Sequence, residues 1–239
     1  EHPDDGRPTE MLYRSWPTMT LCALRLPKAQ ECIAQFQSEF IKVQQGDCGD
    51  SKKKIAEDLL ANFREIPPKA TEQLISYSMG APEEETGRHP QAHVHQVSIT
   101  PFRMCCYAIT NTEYELFDPA HQTIRWPTPR SDDDHAPVTN VTWYDAWAFC
   151  RWLGPDYRLP TEAEREFACR GGTSTPFSCG RHLTSEKANF NGSFPYGSAP
   201  AVTGLFRGRT TPVGSFPAND FGLFDMHGNV WEWCGDWYD

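Results

Sequence analysis

The sequence predicts an α+β domain with a few short helices, short strands and long stretches of ordered coil. Two observations support this. Thr110, Thr142 and Thr161 are each followed three residues later by an acid: Glu113, Asp145 and Glu164. A Thr before a helix accepts a hydrogen bond from the third helical amide, and the acid accepts one from the amide of the Thr, so each pair marks a helix start. Thr with Glu is the preferred combination, and Thr142 with Asp145 is the weaker match. The second observation is the stretch 173–219, rich in Gly, Ser, Thr, Pro and Asn yet carrying Phe177, Phe190, Phe194, Tyr196 and Phe206. Structureless loops beyond roughly 12–15 residues are uncommon. Packing of its aromatic residues, or bound ions, is therefore expected to order this coil.

In chain order, residues 1–26 are irregular, with Pro3, Pro8 and Pro17. Ala29, Cys32, Ile33, Phe36 and Phe40 then fall on one face of an amphipathic helix from Lys28. Residues 1–36 thus read as an irregular segment and a helix that links to, or ends, a preceding domain, and Phe40–Val43 as a short strand. Ile55, Leu59, Leu60 and Phe63 recur at helical spacing before Pro67-Pro68, so residues 47–78 are expected to be a helical insertion with Lys52–Lys54 at its solvated start. Residues 81–92 are polar and acidic, which suits a loop. Val94–Thr100 reads as a strand with Val97 and Ile99 on one face. His89, His93 and His95 lie close together and fit that strand better than a metal site. The three capped helices should run through Phe117, Leu153 and Arg170. Gly154 and Gly171-Gly172 stop the last two. Trp143, Trp147 and Cys150 share a face of the second. Asp132–His135 reads as a solvated acidic loop.

The 239 residues carry a net charge of -10, which argues against nonspecific nucleic-acid or anionic-membrane partners. No run approaches the roughly 20 apolar residues of a membrane helix, and no signal peptide stands out. Nine cysteines, an odd number without a CxxC spacing, fit reduced thiols in a cytoplasmic protein. Cys150 and Cys169 read as small core residues. The chain starts at Glu1, so an earlier N-terminus is expected.

The stretch Gly222 to Trp233 concentrates the chemistry. Glu232 stands between Trp231 and Trp233. One reading holds it as a carboxylate inside an aromatic shell. The other is a strand with both indoles inward and the carboxylate in water. This stretch resembles the signature of the formylglycine-generating enzyme, or sulfatase-modifying factor, family. Three more blocks resemble that family in its order: Pro137–Ala146 with Phe149–Trp152, Arg158–Ala168, and Thr211–Pro217.

The resemblance implies a C-type-lectin-like, formylglycine-generating-enzyme-type fold over residues 37–239, with an incomplete C-terminus and an insertion before Met79-Gly80. It implies a structural Ca²⁺ held by the side chains of Asp225 and Glu232 and the carbonyls of Gly228 and Val230. Such oxygen-only ligation suits calcium. A second family calcium site would start at Asn189 and Phe190, but its other half, Thr203–Phe206, carries no acid, so that site is expected to be missing. The family's oxygen-dependent enzymes oxidise a substrate protein's Cys or Ser to formylglycine, using two copper-binding cysteines after a Gly-Gly-Ser segment. Cys234 matches neither, so no catalytic residue is assigned. An iron-dependent branch needs a His-rich N-terminal bundle, and only His2 precedes Phe40. The expectation is a non-catalytic recognition or scaffold module for a protein or peptide partner. The alternative is a formylglycine-generating oxidoreductase whose copper-binding cysteines lie beyond Asp239.

Overall fold

The computed structural model describes residues 57–68, 74–85, 87–125, 133–194, 196 and 203–237. The expected helix Lys28–Phe40, the strand Phe40–Val43, Lys52–Lys54 and Asp132 lie outside them.

Among the described residues, four strands form two separate antiparallel pairs: β1 (Phe63–Ile66) with β4 (Phe102–Cys105), and β2 (Ile75–Met79) with β3 (His95–Ile99). Side chains alternate across a strand. Accordingly Ile75, Tyr77 and Met79 are more buried than Ser76 and Ser78, and Val97 and Ile99 turn inward as expected.

The helical reading of the insertion is corrected here. Residues 57–61 are helical, but Asn62 turns the chain and Phe63 begins β1. The spacing from Leu59 to Phe63 is helical, but a short window cannot separate a helix from a strand that finds a partner. Phe63 lies opposite Cys105, and Ile66, opposite Phe102, is fully buried. All of β2 but Met79 also falls within the expected insertion.

Three α-helices follow: α1 (Asn111–Tyr114), α2 (Trp143–Leu153) and α3 (Glu162–Arg170). All three begin with the reciprocal hydrogen bonds expected at Thr110, Thr142 and Thr161. Asp145 closes its box as Glu does, with Oδ2 accepting from the Thr142 amide at 2.7 Å. α1 is shorter than expected, and the chain turns through Phe117 before a 3₁₀ helix at Pro119–Thr123.

Two apolar clusters form the core. Leu59, Tyr114, Phe117, Ala148 and Phe149 build one, backed by Trp147 and Trp152. Ile66, Cys106, Ala168 and Leu223 build the other, backed by Phe167, Phe221 and Phe224. α3 is tied to β2 by polar bonds: Tyr77 Oη donates to the Ala163 carbonyl at 2.6 Å, and Arg170 Nη2 to the Gly80 carbonyl at 2.6 Å. Among the described residues from 173 to 237 there is no helix and no strand longer than an isolated bridge. No helix among the described residues is long and apolar enough to cross a membrane.

Candidate metal centre

The loop from Gly222 to Glu232 is built from tight turns. Asp225, Gly228 and Asn229 have φ of 53°, 80° and 65°. Gly228 must be glycine, because a Cβ there would lie 2.4 Å from the Asn189 carbonyl oxygen. Asn229 fixes the loop against two other segments. Its Oδ1 accepts from the Thr211 amide at 2.9 Å and from Asn189 Nδ2 at 3.0 Å, and its Nδ2 donates to the Thr211 carbonyl at 3.1 Å.

This scaffold buries Asp225. Its Oδ2 accepts from the Gly214 amide at 2.7 Å, whereas Oδ1 is buried with no hydrogen-bond partner. Burial pushes this carboxyl above the usual range, the Gly214 hydrogen bond opposes that, and the Glu232 charge adds to it. Two carboxylates thus act on each other here, and one buried oxygen lacks a donor. A hard cation supplies what such an oxygen lacks.

Glu232 is not held as either sequence reading expected. Trp231 is 61% exposed, and Trp233 is partly buried with its Nε1 donating to the Val141 carbonyl at 3.1 Å. Residues 231–233 form no strand. The carboxylate meets Arg165 of α3 instead, with Oε1 2.7 Å from Nη2, and the same Nη2 donates to the Met226 carbonyl at 3.3 Å. A guanidinium, not an aromatic shell, compensates it. Of the two backbone oxygens named from sequence, the Gly228 carbonyl accepts from the Val230 amide at 2.9 Å. Among the described residues no three His, Cys, Asp or Glu side chains gather as a metal site. A cation at this loop would therefore draw on backbone carbonyls for part of its shell.

At the second family position, Asn189 Nδ2 also donates to the Arg209 carbonyl at 2.7 Å. Its amide cross-links the coil, and Thr203–Phe206 brings no carboxylate.

Sequence reasoning missed a cleft of about 240 Å³ lined by Gly80, Glu166, Cys169, Arg170, Ser178 and His227, among others. His227 Nε2 accepts from the Ser178 amide at 3.0 Å. The neutral ring therefore carries its proton on Nδ1. Burial, with a smaller push from Arg165, lowers His227 to about 4. The Cys169 thiol lies 3.7 Å from Nδ1 and donates to the Met226 carbonyl, and burial pushes its pKa up. A protonated thiol beside an Nδ1–H is not a poised nucleophile. In the sequence, the only pointer to this cleft was the position of His227 beside Gly228.

The profile of the sulfatase-modifying factor enzyme 1-like domain matches residues 64–239. The chain belongs to the sulfatase-modifying factor family. Serine/threonine-protein kinase pkn1 of Chlamydia caviae is 47% identical over 103 residues, 43% of this chain and 14% of the kinase. The mouse formylglycine-generating enzyme is 30% identical over 213 residues, 68% of this chain and 56% of the enzyme. Among solved structures, PvdO from Pseudomonas aeruginosa superposes with a TM-score of 0.54 at 30% identity, covering 70% of this chain and 69% of PvdO. The chain thus spans about half the length of the mouse enzyme and about a seventh of the kinase. Short strands, three capped helices and long ordered coil are this family's α+β, C-type-lectin-like fold.

Proposed function

We propose that this sulfatase-modifying factor domain is a calcium-stabilised recognition module for a protein or peptide partner. One observation carries the reading. Trp237, 60% exposed, stacks on Trp143 with ring centroids 6.3 Å apart, and Trp231 is also exposed. Stiff, exposed indoles are the side chains that dominate protein recognition. The net charge of -10 disfavours nucleic acid and anionic lipid as that partner. The kinase match supports a modular role, because there a similar stretch occupies a small part of a much longer protein.

Calcium fits this loop in part. Asp225 Oδ1 offers a buried oxygen without a donor, while Glu232 already holds Arg165. When bound, the ion would cross-link the loop through Asp225, Glu232 and the carbonyls of Gly228 and Val230. A ligand that binds only the folded state stabilises it by mass action. A chelator is therefore expected to lower the Tm of the wild type and to leave Glu232→Gln unchanged.

Formylglycine generation is the second reading, favoured by the match to the mouse enzyme. It needs a copper-binding thiolate pair. Cys234, the cysteine that follows the Trp-Glu-Trp stretch, is a single thiol and matches neither family cysteine. Mass spectrometry of a sulfatase-type Cys peptide incubated with the protein, copper and oxygen separates the readings. Unchanged peptide is expected, and formylglycine would overturn the recognition reading. For the binding arm, peptides selected from a display library on the wild type should no longer bind Trp231→Ala/Trp237→Ala at unchanged Tm. Equal binding by both proteins would count against it.

A further inference from the structure

The calcium loop has an unusual neighbour. α3 projects Arg165 into the same turn, where one nitrogen, Nη2, contacts both Glu232 Oε1 and the Met226 carbonyl. Met226 directly follows Asp225, so the guanidinium bridges the Asp225 end of the loop to Glu232. The contact is buried on one side: the Arg165 side chain is 17% exposed, and Glu232, at 34%, meets solvent. It compensates only one of the two carboxylates. Asp225 keeps its partnerless Oδ1 and senses the Glu232 charge.

We infer that Arg165 is a built-in competitor of the metal for Glu232, which makes this a weak, reversible cation site. The inference rests on the calcium reading above. A divalent ion that takes Asp225 Oδ1 also needs a Glu232 oxygen. If Arg165 keeps Oε1 while the ion takes Oε2, two positive centres share one carboxylate at close range and repel. If Arg165 leaves, a buried guanidinium loses the carboxylate that compensates it. Both routes subtract from affinity. In the metal-free protein the same contact is favourable, because it spares the loop a second uncompensated carboxylate. Calcium binding thus becomes an exchange of one counter-charge for another, and the domain folds with or without the ion.

Terbium titration reads this directly, because Trp231 and Trp233 flank Glu232 and can sensitise terbium emission. Calcium displacement then gives the calcium affinity. Arg165→Met is expected to tighten calcium binding by about tenfold or more, since removing a nearby positive charge in a partly buried site is worth at least that factor. Arg165→Lys keeps the charge and should fall between Met and wild type. In chelator Arg165→Met should melt below the wild type, and calcium should raise its Tm more. Equal affinities for wild type, Lys and Met, with Glu232→Gln binding lost, would overturn the competition and keep the calcium site. No emission from any variant, or emission unaffected by Glu232→Gln, would overturn the calcium reading and the inference together. If Arg165→Met does not fold in chelator, Arg165→Gln makes the same comparison. An affinity for Gln no tighter than wild type would overturn the inference.

Discussion

The helical part (residues 111–170) and the coil part (173–237) reach a fixed structure by different means. In the helical part the backbone satisfies itself within helices whose first turns are capped, and aromatic rings fill the space between them. Phe149 sits 5.6 Å from Tyr114, 6.0 Å from Phe117 and 5.7 Å from Trp152, centroid to centroid. Among the described residues of the coil part, isolated bridges replace a ladder, and side-chain amides serve much of the remaining backbone. Asn219 Nδ2 donates to the Ala168 carbonyl at 2.7 Å while its Oδ1 accepts from the amides of Phe221 and Leu223. Asn189 and Asn229 do the same between three segments. An amide side chain has two donors and two acceptor sites, so one Asn can replace several turns of regular structure. The comparison teaches that irregular chain is ordered by a few multidentate residues, whereas a helical core spreads its stability over many contacts.

Mutations sharpen that contrast. The largest effect belongs to the aromatic cluster. Phe149→Ala is expected to cost about 3–5 kcal/mol, measured by urea denaturation, because the cavity sits among rings that cannot collapse onto it. Gly228→Ala should cost about 2–3 kcal/mol, since it forces both a positive φ and a clash with the Asn189 carbonyl. A loss much below 1 kcal/mol would mean that the loop yields easily.

Asn229→Ala should cost about 2 kcal/mol by leaving the Thr211 amide and carbonyl without partners. Asn229→Asp keeps the acceptor but sets a carboxylate oxygen against the Thr211 carbonyl, so it should recover only part of that cost. If the two substitutions cost the same, the acceptor is not what holds the loop.

The smallest effect is a pH dependence. His227 is held neutral down to about 4 in the folded chain, against an ordinary value near 6.5. The unfolded chain therefore binds this proton first. The histidine's part in stability is full above about pH 6.5 and is lost as pH falls toward 4. Partial exposure of the ring limits the loss to about 1–2 kcal/mol. Tm of wild type and His227→Gln, compared from pH 7.5 to 4.5, should converge toward low pH. Parallel curves would place the imidazole in a more polar setting than its bond with Ser178 implies.

The same contrast governs how much could be read from the sequence. The helix starts at Thr110, Thr142 and Thr161 were legible because a capping box is a local device whose two partners lie three residues apart. β3 was legible from the alternation of Val97 and Ile99. β1 was not, because Phe63 becomes a strand residue only through Cys105, some forty positions away. At the metal loop, the stretch from Asp225 to Glu232 stood out, but its electrostatics did not. Arg165 sat inside an apparent helix motif, and nothing local says that it turns toward a residue 67 positions later. The Asn network was equally hidden: Asn189, Asn219 and Asn229 look like ordinary turn residues until the segments they join are side by side.

Two indole N–H groups close the molecule. Trp143 Nε1 donates to the Cys234 carbonyl and Trp233 Nε1 to the Val141 carbonyl, spanning 91 and 92 residues. This reciprocal clasp joins the start of α2 to residues 233–234, and it has a kinetic consequence. Loops of that size close only after the chain between them has been ordered, so the clasp should form late in folding. Residues 231–237 are held by these two bonds, the Trp143–Trp237 stack, the Gly235 amide on the Pro160 carbonyl, Asp236 on the Glu162 amide and the Arg165–Glu232 pair, mostly polar contacts at the surface, so they should open before the aromatic cluster melts. Hydrogen exchange would then show the amides of residues 231–237 opening as a unit, ahead of those in α2. Because Glu232 lies inside that unit, each opening also lifts one carboxylate away from Arg165. The lifetime of the clasp would thus set how fast an ion can enter or leave the loop.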